Sequence, residues 1–112
     1  MLLNLRPLEK KAIVKVLLDI IHADDKVTVG ERDYFQKLQN VLGISNAEIE
    51  EAMYLSVTGC LSILNDLQAT EKEALVVMML GMIIADGEAH EEEIKIFSVV
   101  CKAASLPLPD DL

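Results

Sequence analysis

The feature that most constrains this chain is an internal match at a constant offset of 62 residues. Glu9-Lys10 meets Glu71-Lys72, Ala12 meets Ala74, Leu18 meets Leu80, Ala23-Asp24 meets Ala85-Asp86, Glu31 meets Glu93 and Phe35 meets Phe97. Each copy reads as a long apolar helix, an acidic turn and a glutamate-led helix. A hairpin with one apolar face cannot bury that face alone, whereas two can bury theirs on each other. The expected fold is all-α, a duplicated helical-hairpin bundle with pseudo-twofold symmetry and two central helices at about 6–22 and 71–85. The 112 residues suit one domain. Repeat 1 covers about 8–44, linker helices about 45–68 and repeat 2 about 70–106.

Apolar spacings of three and four residues support these helices. In the first they run through Leu8, Ala12, Ile13, Val16, Leu17, Ile20 and Ile21, opposite a wet stripe of Lys11, Lys15, Asp19 and His22. Thr28 with Glu31, Ser45 with Glu48, and Thr70 with Glu73 have the spacing of capping boxes, so helices are expected to start there. The second helix presents Tyr34, Phe35, Leu38, Val41 and Leu42 and stops at Gly43. The sixth presents Ile96, Phe97, Val100, Ala103 and Ala104. Residues 57–68 fit one short helix weakened by Gly59. Gly87 is expected at positive φ in the turn after Asp86.

The second copy has lost its wet stripe. Lys11, Lys15, Asp19 and His22 correspond to Glu73, Val77, Gly81 and Ile84, and Arg32 corresponds to Ile94. Something is expected to cover that face. One candidate is the linker folding over the fifth helix, with Gly81 permitting close approach. The other is a protein partner or a second copy, with Val77, Gly81, Ile84 and Ile94 as the interaction surface.

Charge narrows the partners. Ten basic and nineteen acidic side chains give a net −9, divided as +1 over residues 1–44 and −10 over 45–112. Such a surface repels phosphate backbones, so nucleic acid is not expected as a partner. The apolar run Ala74 to Ala85 is too short to span a bilayer, which takes about 20 residues. Without an N-terminal signal pattern, the chain is read as cytoplasmic, with Cys60 and Cys101 as reduced, buried thiols.

Two long apolar helices entering Ala-Asp turns, the second as Ile83-Ile84-Ala85-Asp86-Gly87, each followed by a Glu-led helix, resemble the TerB-like tellurite-resistance family. They also resemble the N-terminal domain of a membrane-anchored DnaJ-type co-chaperone. The resemblance covers about residues 8–106 and departs in the first copy, where Asp25 replaces the glycine. It implies a duplicated all-α core and an association with stress and metal or metalloid resistance. The function expected from it is a non-enzymatic protein-interaction module.

The alternative is a divalent-cation binder or sensor holding Ca²⁺ or Mg²⁺ through oxygen ligands at Asp24, Asp25, Glu31, Asp86, Glu88 and Glu93. The EF-hand pattern does not fit either turn, since the sixth and twelfth positions are Glu91 and Phe97 in one and Val29 and Phe35 in the other. Glutamates 91–93 also suit a helix N-terminus, where the dipole favours negative charge. His22, His90, Cys60 and Cys101 lack zinc-site spacing. An enzyme would require Asp24 and Asp86 to act as an acid–base pair, and no activated nucleophile or phosphate-binding loop is visible in the sequence, so catalysis is the least expected activity.

Overall fold

The computed structural model describes residues 5–23, 26–85, 87 and 90–107. Six helices follow in order: α1 (Pro7–Ile21), α2 (Val29–Leu42), α3 (Asn46–Met53), α4 (Val57–Asn65), α5 (Ala69–Ile83) and α6 (Glu91–Ala103). No strand occurs among the described residues. The Cα radius of gyration is 12.8 Å, close to the roughly 13 Å expected of a compact domain this size. None of the described helices is long and apolar enough to cross a membrane.

Five helices start alike, four of them with the glutamate buried and α3 with Glu48 only partly buried. A glutamate at the third position turns back to the backbone N–H of the cap residue: Glu9 to Arg6 at 2.8 Å, Glu31 to Thr28 at 3.0 Å, Glu71 to Gln68 at 2.9 Å and Glu93 to His90 at 3.4 Å. This bond satisfies an N–H at the helix entry, where intrahelical partners are lacking. The glutamates of α1, α2, α5 and α6 are the four charged side chains buried among the described residues. The expected Thr70–Glu73 box does not form. Both residues are exposed, and α5 begins at Ala69 because Glu71 closes on Gln68. Ser45 and Glu48 form their box as expected, at 3.1 and 3.0 Å.

The ends follow from local chemistry too. Gly43 terminates α2 at φ 66°, and Gly87 lies at φ 87°, a region that glycine enters at little cost. At the end of α6, Ser105 takes φ 56° and Leu106 turns back into the core, donating its N–H to the Cys101 carbonyl at 2.8 Å.

The core gathers Ile13, Leu17 and Ile20 of α1, Leu75, Met79 and Met82 of α5, and Phe97 of α6. Both expected central helices are buried, but α1 is the axle, packing against every other helix. The linker corrects one expectation. Helices α3 and α4 pack on α1, whereas the neighbours of α5 are α1, α2 and α6. The linker therefore covers the first half of the stripe expected to be wet, while His22 stays exposed: Lys11 meets Glu51 at 3.0 Å, Lys15 is largely shielded, and the Cys60 thiol donates to the Ala12 carbonyl at 3.3 Å. Polar α1 side chains suit this neighbour because their stems pack while their heads find partners. Leu8, Val41 and Ala103, expected inside, are exposed.

Candidate functional site

Glu31 and Glu93 open α2 and α6, and their carboxyl groups face each other inside the protein. They are 1% and 0% exposed. In each, Oε1 accepts the backbone N–H of the cap residue, and Thr28 Oγ1 additionally donates to Glu31 Oε1 at 3.1 Å. In each, Oε2 is buried without a hydrogen-bond partner. Two ionised carboxylates are acceptors only, so neither can satisfy the other.

The electrostatics follow directly. Burial pushes Glu93 up from an ordinary 4.5 to about 8, and contact with the Glu31 carboxylate adds to the rise. The His90 backbone bond and the His90 charge oppose it. A proton on Glu93 supplies the missing donor between the two acids, as in any close carboxyl pair that avoids double ionisation.

The pair at the other helix starts differs. Glu9 has the Arg6 guanidinium at 3.3 Å, and Arg6 also feels Glu71. The Arg6 backbone bond, helped by the guanidinium, holds Glu9 below its usual value against desolvation. The same motif thus yields a charge-compensated pair at one place and two crowded acids at another.

Of the six oxygen ligands expected for a cation, Glu31 and Glu93 are brought together, while Asp24, Asp25, Asp86 and Glu88 lie outside the described residues. So does the Asp24–Asp86 pair expected of an enzyme. Among the described residues no group of three His, Cys, Asp or Glu side chains could hold a metal ion. The sequence marks Glu31 and Glu93 as helix starters and as candidate cation ligands, but not as a buried carboxyl pair, although their 62-residue offset is the available signal.

The expected interaction surface is split. Val77 on α5 is 59% and Ile84 at its C-terminal cap 63% exposed, and Ile94 is exposed on α6. Gly81 is instead a packing notch, since a methyl group there would collide with the Tyr34 ring and hydroxyl. Burial raises the Tyr34 phenol above its usual pKa. Cys60 and Cys101 are free, buried and raised to about 11, mainly by desolvation. His22 is exposed, with Nδ1 2.9 Å from the Leu18 carbonyl.

No family model matches the chain, and no curated protein matches it. Among solved structures, the chain is similar to the protein of unknown function PG1108 from Porphyromonas gingivalis W83, at a TM-score of 0.81 and 14% identity, over 96% of this chain and 90% of that one. At that identity the likeness concerns the fold alone.

Proposed function

We propose that this protein is a TerB-like, duplicated helical module that binds a divalent cation of the Ca²⁺ or Mg²⁺ class. The observation that carries this reading is the Glu31–Glu93 pair, whose two buried Oε2 atoms lack donors. Hard cations take carboxylate oxygens and relieve the repulsion between them. The pair would supply two of the ion's oxygen ligands. Its place at the starts of α2 and α6 would make the ion a tie between the two repeats. The test is an NMR titration of cation-free protein with Ca²⁺ and with Mg²⁺ at pH 8. Saturable shifts at Glu31 and Glu93 that vanish in E93Q are expected. Unchanged Glu31 and Glu93 resonances at millimolar ion would overturn the assignment.

A second reading is favoured by Val77 on α5 and Ile84 at its C-terminal cap, seven residues apart and both exposed. Such exposed apolar side chains suit a non-enzymatic module acting through a protein partner or a homodimer in a stress or resistance pathway. Sedimentation at rising concentration, compared with V77K/I84K, tests the dimer. A concentration-independent monomer in both would remove it.

A further inference from the structure

A concavity whose lining includes neither Glu31 nor Glu93 lies between α1, α4 and α6. Its cavity volume is about 470 Å³, within the range of small-molecule sites, roughly 300–1,000 Å³. Val16, Cys60 and Val100 are buried in its wall, and Val57 and Val99 stand exposed at its mouth. The ionisable groups among its described lining residues are Lys15, Lys95, Asp19, His22 and the Cys60 thiol. Two lysines stand on this cleft in a chain of net charge −9, Lys15 beside Asp19 and Lys95 beside Glu91.

Lys15 is the group that distinguishes this cleft from a plain apolar groove. Its side chain is 17% exposed, and its contact is Asp19 at 3.4 Å. That is longer than the roughly 2.7–2.9 Å of a strong charge-assisted bond. An ammonium has three donors, so most of its bonding capacity remains for a ligand. Both Lys15 and Asp19 act on the Cys60 thiol, which places their charges close to the cavity wall. Lys95 is exposed and lies 3.5 Å from Glu91, one helical turn away, so it is the weaker handle.

We propose that this cleft binds a soluble aliphatic monocarboxylate, with the chain against Val16, Val57, Val99 and Val100 and the carboxylate on the Lys15 ammonium. An apolar wall with one cationic, partly desolvated donor matches an anion carrying a hydrocarbon chain. A neutral alcohol would offer the ammonium only an uncharged acceptor, and a cationic chain would oppose Lys15. Binding here needs no metal and is independent of the glutamate pair.

The test is an NMR titration with decanoate below its micellar concentration in chelator-containing buffer, alongside decanol and decyltrimethylammonium. Saturable shifts at Val16, Val57 and Val99 are expected with decanoate. Decanol and the cationic chain should bind about tenfold more weakly or worse, on the order of one hydrogen bond to a charged group. K15M should weaken decanoate by a similar factor and leave decanol unchanged. Absence of saturable shifts in the wild-type protein would overturn the proposal, as would equal affinity for the three chains. Equal affinity of K15M and wild type for decanoate would also overturn it.

Discussion

Tyr34 of α2 occupies the space where a side chain on Gly81 of α5 would begin. The missing Cβ is what lets the ring lie against the helix. G81A gains helix propensity, worth roughly 1 kcal/mol, but drives a methyl into the ring, and overpacking costs roughly 1–3 kcal/mol. The collision is expected to win, with G81A destabilised by about 1 kcal/mol in urea unfolding. In a Y34A background the sign reverses, and G81A stabilises. A double-mutant cycle reads this coupling, and additive effects would show that the ring is not the obstacle.

The acid pair sets an unusual pH response in cation-free protein. Because the folded state holds the Glu93 proton up to about pH 8 while an ordinary glutamate loses it near 4.5, the folded protein binds more protons across that window. This contribution to stability is full below pH 4.5 and is lost as pH rises through 8. Glu9 and Glu48 act in the opposite direction, since both are held below the ordinary value. Their contribution is present above that value and is lost as pH falls through their lowered folded values. Denaturation in chelator is therefore expected to show higher stability at pH 6 than at pH 8.5. E93Q should flatten that slope, and an unchanged slope in E93Q would assign it to other groups.

Two caps with similar hydrogen bonds should differ in cost. Ser45 Oγ accepts from the Glu48 N–H at 3.1 Å on the surface, and S45A is expected to lose about 0.5–1 kcal/mol. Thr28 Oγ1 accepts from the Glu31 N–H at 3.1 Å and also donates to Glu31 Oε1. T28A withdraws a donor from a buried carboxylate, so a larger loss, about 2 kcal/mol, is expected. Paired denaturation curves compare them, and equal losses would mean that Glu31 does not depend on Thr28.

The thiols report opening of the core. Cys60 and Cys101 are buried and raised to about 11, and the thiolate is the reactive form. At pH 8 both are expected to react with a thiol reagent far more slowly than in denaturant. Labelling as fast as in unfolded protein would show that the helices around them open freely.

Much of the fold was legible because it is local. The Thr28 and Ser45 caps, the Gly43 stop and the short fourth helix all depend on residues within a few positions of each other. The fifth helix start was misplaced because Thr70–Glu73 and Gln68–Glu71 both offer a glutamate at the right spacing, and only packing selects Glu71. The linker's destination was not legible, since Lys11 and Lys15 look like solvent residues until Glu51 and α4 lie over them. Of the candidate site, Glu31 and Glu93 were identified as residues, but their encounter was not. Helix-start glutamates are usually solvated, and packing between elements far apart in sequence is what removes water from these two.

The axle position of α1 has a consequence for how the chain comes apart. Although the sequence reads as two similar stretches joined by a linker, the linker helices and the second stretch all rest on the first helix. Loss of α1 strips every remaining helix of a neighbour at once. The molecule has a repeated text but is expected to unfold as a single unit, and fragments from a cut near Gly43 are expected to regain structure only together.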